Sequence, residues 1–396
     1  MIVLKAFKYR IYPNKIQKVL LNKTFGCVRV VWNHNVEIFN NYNKEIAIQQ
    51  TPLTSTQLRH KHEWMKEVSA AILQQKENDF IKFKQNFFSK TRKVKVGHPS
   101  FKKKDSTQSF RLPTPKFTLK ENGIRLEKIG IVKLSMDRHI PDGSKFVSVT
   151  VSKNKCNQLF ASILVEMDIS LKQKTRGTIG IDVGLKTFIT CSNGTTVENP
   201  QFFRESQAKL VRAQRLFSRK KKGSSRRKAA RLKVARIHNH IANQRKDFLQ
   251  KTTTELITNY DFIAIEDLNV KGMVKNHKLA KSISDVSWSK FSTMLDYKAK
   301  WYGKEVVRVD RWFASSKLCS SCGEKKKSLT LQERTFNCEA CGFSIDRDLN
   351  ASKNILTEAL RVSNAIRTQS ECKTLSVAAT SGRRYVLKRS ENHSSL

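Results

Sequence analysis

Acidic side chains are the first thing this sequence is short of: 33 Asp and Glu stand against 76 Lys and Arg, a formal net charge of +43. A like-charge excess of this size costs self-repulsion unless a polyanion offsets it, so nucleic acid is the first partner implied. Long uncharged apolar runs are also missing, which excludes a membrane-spanning helix and leaves no membrane partner to propose. Lys5, Lys8, Arg10, Lys15, Lys18 and Lys23 interrupt the first thirty residues and so exclude the h-region of a signal peptide. A cytoplasmic protein is expected. Of the eight cysteines, Cys27, Cys156, Cys191 and Cys372 stand far from any partner in sequence and read as small hydrophobes of a reducing compartment. Core-forming material is not lacking: 396 residues, 39% of them hydrophobic, suffice for two or three folded domains.

Residues 3–12 alternate apolar and basic side chains as a half-buried strand does. Pro13-Asn14 then turns the chain into a helix whose apolar stripe is expected to begin at Ile16, Val19 and Leu20. Further helices run to about residue 90, with Leu73, Phe80, Phe83 and Phe87 on one core-facing stripe. After Lys102-Lys103-Lys104 the period changes to two. Phe117 and Leu119 face Ile124 and Leu126 across an expected Asn122-Gly123 turn, both residues accepting positive φ, and Val147, Val149 and Val151 pair with Phe160 to Val165. The first 170 residues therefore predict a β-barrel or sheet with a helical insertion.

From Gly177 a short apolar strand carries one acid, Asp182, and two more strands complete a meander. Residues 204–249 predict a helical hairpin with a basic elbow. Asp261 to Asp267 reads as a buried strand with Glu266 at its end. A helix around Trp288, Phe291 and Leu295, a strand at Val306 to Val309 and a last helix from about Asp348 to Ala359 follow. The order β-β-β-α-β-α-β-α, with acids on the first strand, the fourth strand and the last helix, is that of an RNase H-like fold. Residues 361–396, rich in Ser, Thr, Asn and Arg without a sustained period, predict a mobile basic tail.

Three constellations carry chemistry. Cys319, Cys322, Cys338 and Cys341 form two C-x-x-C knuckles, four soft ligands that predict one closed, structural Zn²⁺ site. A phosphodiester anion repels nucleophiles, so its hydrolysis calls for divalent cations, and two Mg²⁺ ions prefer hard carboxylate ligands. Asp182, Glu266 and Asp348 would converge at one sheet edge in the fold just inferred, with Asp346 an open alternative to Asp348. The third constellation is a continuous phosphate-binding surface between Arg204 and Lys246. Its candidates are Arg212, Arg215, Arg219, Lys220, Lys221, Lys222, Arg226, Arg227, Lys228 and Arg231, where acids that would form i,i+4 pairs are scarce.

G-I-D-V-G-L-K at 180–186, Y-D-F-I-A-I-E-D-L-N-V at 260–270, S-S-K-L-C-S-S-C-G at 315–323 and D-R-D-L-N-A-S-K-N-I at 346–355 resemble the TnpB proteins. These are RNA-guided nucleases of bacterial insertion sequences, similar to compact type V CRISPR effectors. K-Y-R-I-Y-P-N-K-I-Q at 8–17, G-H-P-S-F-K-K-K at 97–104 and L-D-Y-K-A-K-W-Y-G at 295–303 also look like that family, and the likeness spans about residues 1–360.

The resemblance implies an α+β multidomain protein. A wedge-like β-barrel (1–15 and 100–172) would be interrupted by a helical recognition lobe (16–99). A RuvC nuclease domain (173–312 and 346–360) would carry an inserted zinc ribbon (313–345), and the tail at 361–396 has no match. It further implies a guide RNA from the transposon end, a double-stranded target DNA with a short flanking motif, and Asp182, Glu266 and Asp348 as the catalytic acids. Asp348 is favoured there because it stands two residues before Asn350 in a D-x-N-A pattern. Ser352 follows Ala351 where a second Ala is commoner. Two rival readings use the same cations: an RNA-guided or zinc-ribbon repressor that binds without cutting, and a transposase that joins DNA ends without RNA.

Overall fold

The computed structural model describes residues 2–41, 52–91, 96–330 and 332–365. The chain divides into two compact units. One is built from the residues up to Ile169 together with Ala213–Asn239, the other from Ser170–Arg212 together with His240 onward. Among the described residues no helix is long and apolar enough to cross a membrane.

The first unit is organised by β1 (Ile2–Tyr12), whose alternation buries Phe7, Tyr9 and Ile11 and leaves Ile2, Leu4 and Tyr12 outside. Helix α1 (Lys15–Asn40) follows at once, started by a capping box in which Gln17 N–H donates to Asn14 Oδ1 at 2.8 Å and Asn14 N–H to Gln17 Oε1 at 3.0 Å. Its buried stripe is Leu21, Phe25, Val28 and Val31, whereas Ile16 and Val19 are exposed, contrary to expectation. The first turn is held by polar bonds instead, Gln17 Nε2 donating to the Ile131 carbonyl at 2.7 Å, so its apolar residues lie outside the core. Helices α2 (Ser55–Lys61) and α3 (Ala70–Phe88) complete the helical segment. Leu73 and Phe80 are fully buried there, and Phe83 and Phe87 pack edge-on against Phe39.

The strands β2 (Gln108–Pro113), β3 (Phe117–Lys120), β4 (Gly123–Leu126), β5 (Gly130–Ser135), β6 (Lys145–Lys153) and β7 (Leu159–Asp168) join β1 in a seven-stranded antiparallel sheet ordered β2-β6-β7-β1-β5-β4-β3. Its end strands do not pair with each other, so the ladder is nearly closed rather than a full barrel. Phe117 and Leu119 do face Leu126 and Ile124, but the two-residue turn is Glu121-Asn122, one position earlier than expected. Gly123 is already a strand residue, required because a Cβ there would lie 2.5 Å from the Val132 carbonyl oxygen on β5. One core holds the inward faces of the sheet together with α1 and α3.

In the second unit β8 (Thr178–Val183), β9 (Thr187–Cys191) and β10 (Thr196–Glu198) form the meander. Helices α4 (Phe202–Ser218) and α5 (Ser225–Asn259) follow, then β11 (Phe262–Glu266), α6 (Val270–Met273), α7 (Ala280–Val286), α8 (Trp288–Tyr302) and β12 (Glu305–Val309). The sheet order is β10-β9-β8-β11-β12, with β8, β11 and β12 parallel. Parallel strands are normally covered on both faces, and β11 obeys: Ile263 and Ile265 pack with Leu249, Leu256 and Phe291, while Phe262 and Ala264 pack with Ile355 and Ala359.

The last two strands, β13 (Thr335–Asn337) and β14 (Ser344–Asp346), make a two-stranded ribbon, and helix α9 covers 347–365. That helix runs five residues into the stretch read as a tail, supported by an Arg361–Glu358 ion pair and by Ser363 Oγ against Glu305 Oε1 at 3.1 Å. The rest of that expected tail, 366–396, lies outside the described residues.

Candidate active site and metal centre

The four thiols are held by two copies of one local design. In each, the first cysteine's N–H bonds a carbonyl five residues on, Cys319 to Glu324 at 2.9 Å and Cys338 to Phe343 at 2.8 Å. The glycine after the second cysteine returns its N–H to the first cysteine's carbonyl, and Gly323 and Gly342 do so at φ of 80° and 71°, which favours glycine. All four sulfurs lie within 4.8 Å of one another, with Cys319–Cys341 at 3.8 Å and Cys322–Cys338 at 3.6 Å. These separations are too long for a disulfide, and they match the edge of about 3.8 Å of a tetrahedron with 2.3 Å Zn–S arms. The donor set therefore fits one structural Zn²⁺. Backbone N–H groups of Cys341 and then Ala340 favour the Cys338 thiolate and bring that thiol down to about 7.

The three acids are placed by strand parity and by a close approach. Residues of β8 and β11 alternate between two faces, and Gly180, Asp182, Ala264 and Glu266 share the parity that looks toward α9. A Cβ at Gly180 would overlap the Ser352 carbonyl oxygen and the Leu356 side chain, so only glycine lets α9 lie directly on β8. Asp348 sits one turn before Ser352, at the same edge as Asp182. Burial first, and then the charges of Asp348 and Glu266, push the Asp182 carboxyl up from 3.8 to about 7. Burial, and then the neighbouring Asp267, raise Glu266 as well. Half-buried carboxylates at one sheet edge offer hard oxygen atoms of the kind a divalent cation prefers, although among the described residues only the four cysteines bring their ligand atoms within 4.8 Å of one another.

Asp346 has different work. Its Oδ1 accepts the N–H groups of Asp348 and Leu349, each at 3.0 Å, which makes it the N-cap of α9. Arg347 donates to the Glu333 carbonyl at 3.0 Å and approaches Asp348 Oδ1 at 3.5 Å.

The sequence reading missed two asparagines. Asn350, fully buried, accepts from Ser320 N–H at 2.9 Å and donates to the Leu318 carbonyl at 2.6 Å. Asn354 donates to the Ser315 and Leu318 carbonyls at 2.8 and 2.7 Å. Together they clamp the first cysteine knuckle to the helix that carries Asp348. Their signal was present: amides four residues apart on a helix face otherwise made of Ala351, Ile355 and Ala359.

Beside Glu266 a cleft of about 230 Å³ is lined by Val183, Asp267, Trp288, Ser292 and Arg308. Arg308 is held by Asp296 at 2.7 Å, and Arg311 pairs with Asp267.

The basic candidates divide. Arg212, Arg215, Arg219, Lys220, Lys221, Lys222, Arg226 and Lys228 are exposed on α4, α5 and the loop joining them. Arg227 is spent locally, donating to the Phe217 and Lys220 carbonyls at 3.1 and 2.7 Å with its guanidinium 4.2 Å from the Phe217 ring centroid. Arg231 pairs with Asp105 at 2.8 Å.

Three family profiles match the chain: "Probable transposase" (IS605 OrfB) over residues 162–277, "Cas12f1-like, TNB domain" over 288–355 and "Helix-turn-helix domain" over 1–46. Among the described residues of the last, the structure has a strand and a single long helix. A Streptomyces pristinaespiralis protein named "Putative RNA-guided DNA endonuclease" is 39% identical over 380 residues, 93% of each chain. InsQ of Escherichia coli K12, named in the same way, is 31% identical over 89% of this chain and 92% of its own. The solved chain of a Cas12f1–sgRNA–target DNA complex is 14% identical, covers 89% of this chain and 98% of its own, and overlays with a TM-score of 0.48. With relatives this similar over nearly their whole length, the chain belongs to the TnpB family, the OrfB proteins of IS605-type elements.

Proposed function

We propose that this protein is an RNA-guided DNA endonuclease with one active site, formed at the C-terminal ends of β8 and β11 and the first turn of α9. The observation that carries this reading is that strand pairing and the close approach of α9 at Gly180 bring Asp182, Glu266 and Asp348, from three separated segments, to one sheet edge. There burial first, and then the charges of Asp348 and Glu266, raise the Asp182 carboxyl. The strand order β10-β9-β8-β11-β12 supports an RNase H-like, RuvC-type domain. The seven-stranded sheet and its helices correspond to a wedge and recognition lobe, and the cysteine ribbon to the target-nucleic-acid-binding module. The partners are a guide RNA from the transposon end and a double-stranded target bearing a short flanking motif. Such an activity belongs in the cytoplasm, and the exposed cations of α4 and α5 are its phosphate contacts.

Asp182, Glu266 and Asp348 would hold two Mg²⁺ ions. Bound there, the ions would lower the pKa of an attacking water and offset charge on the leaving oxygen. With its carboxyl raised to about 7, Asp182 would stay partly protonated near neutral pH in the metal-free protein, and as a ligand it would be ionised. Asn350 and Asn354 keep Asp348 in register with the first knuckle. Guide pairing supplies sequence specificity, and the protein supplies charge and shape.

The test is to purify the full chain with its RNA and challenge it with matched double-stranded DNA and Mg²⁺. The wild type should cut, while Asp182→Ala and Glu266→Ala should bind and not cut. Equal cutting by those variants overturns the site; binding without cutting by the wild type favours a repressor; activity that survives ribonuclease favours a transposase.

A further inference from the structure

We propose that Trp312 is a stacking platform for an unpaired nucleobase of the DNA strand that reaches the acid site; this rests on the endonuclease reading above. Trp312 is 86% exposed, more than any other large hydrophobic side chain among the described residues. An indole left in water forgoes the stabilisation of apolar burial, so its place outside a core is informative.

The backbone beneath it is fixed on both sides. Trp312 N–H donates to Asp310 Oδ1 at 2.8 Å and Phe313 N–H to the Asp310 carbonyl at 3.0 Å. On one side the Arg311 guanidinium is tied to Asp267, the residue after Glu266. On the other, Phe313 packs against the cluster of Phe262, Val309 and Ile355. The turn thus holds the indole out, three residues beyond Val309, the Cα partner of Glu266 in the β11–β12 ladder.

Three features identify the occupant as a base. Stacking needs a π-face, which a paired duplex covers and an unpaired strand offers. Tryptophan presents its ring with only two rotatable bonds, so little entropy is lost when a base lands on it. With a net charge of +43, the chain favours a polyanion over an apolar protein surface. The two chemistries are complementary: carboxylates for the cations that act on a phosphate, and a flat apolar face for the base beside it.

The experiment uses the full chain with its guide RNA in a Glu266→Ala background, so that substrate stays uncut. Single-stranded DNA carrying 2-aminopurine at successive positions is the probe. One position should show quenched fluorescence; Trp312→Ala should relieve the quench and weaken capture about ten-fold, and Trp312→Phe should stay within about three-fold. Zinc content and copurifying RNA, both unchanged in Trp312→Ala, establish that the variant is folded. With Glu266 restored, Trp312→Ala should raise the apparent KM for target more than it lowers kcat. Wild-type quenching and cutting by Trp312→Ala overturn the platform and leave the endonuclease reading intact. Loss of the guide RNA instead of the DNA overturns it in favour of an RNA contact. A wild-type complex that cuts nothing removes the endonuclease reading, while the quench still reports on the indole.

Discussion

The cysteine ribbon and the acid edge of the five-stranded sheet both gather side chains with metal-binding chemistry, and they do so by opposite means. In the ribbon, each pair of ligands is set by one short turn with a positive-φ glycine, so the site is written locally and twice. At the acid edge no segment holds more than one of the three acids. Asp182 and Glu266 share a sheet edge through strand parity and pairing, and Asp348 comes to that edge because Gly180 lets a helix touch a strand. The first set has the spacing of a structural zinc site. The second buries a carboxyl beside like charges, and burial first, then Asp348 and Glu266, keeps Asp182 from ionising as readily as a free aspartate. The two are joined by Asn350 and Asn354.

The largest contrast to test is in cleavage. Asp182→Ala or Glu266→Ala should lower target cutting by about a thousand-fold or more while zinc content and RNA binding persist. Cys338→Ser should do the reverse in order of cause. It should lose zinc, whose apparent contribution in such sites is about 10–16 kcal/mol, and expose the ribbon to protease. Cutting should then fall because the clamp on Asp348 is released. Asn350→Ala should reproduce that loss of cutting with zinc retained; full activity in this variant would show that the two sites are independent.

A smaller effect lies in pH. The Asp182 carboxyl is raised in the fold from 3.8 to about 7, so its protonated form stabilises the metal-free protein fully below about pH 4, and this contribution fades as pH rises through 7. Asp182→Asn escapes that loss. In chelator, its advantage over wild type in melting experiments should grow between pH 4 and 7 and then level, reaching at most about 4 kcal/mol. A constant difference across that range would remove the repulsion argument. The smallest effect separates two neighbours: Asp346→Ala, losing a helix cap, should cost about 1 kcal/mol of stability and keep most activity, whereas Asp348→Ala should abolish it.

Much of this was legible in the chain. The C-x-x-C spacing predicted the two knuckles, period-two runs located β1 and the cores of β6 and β7, and a buried apolar run located β11. The errors share a cause. Ile16 and Val19 carry the right period for a buried stripe, yet they stay exposed on a first turn held by the Asn14 cap and the Gln17 bond to the Ile131 carbonyl, contacts that no periodicity encodes. Gly123 was expected to be a turn residue because glycine permits positive φ; in the fold it makes room for the Val132 carbonyl. Arg227 looked like its basic neighbours until its bonds to the end of α4 set it apart.

By itself the sequence determined what depends on near neighbours: the knuckles, the strand periods and the excess of positive charge, because each is fixed by residues a few positions apart. Tertiary structure alone decided which carboxylate caps a helix and which faces Asp182, and that amides on α9 hold the first knuckle. Those outcomes depend on the approach of segments distant in the chain, and a helix rotated by one residue would aim a different side chain at the same edge.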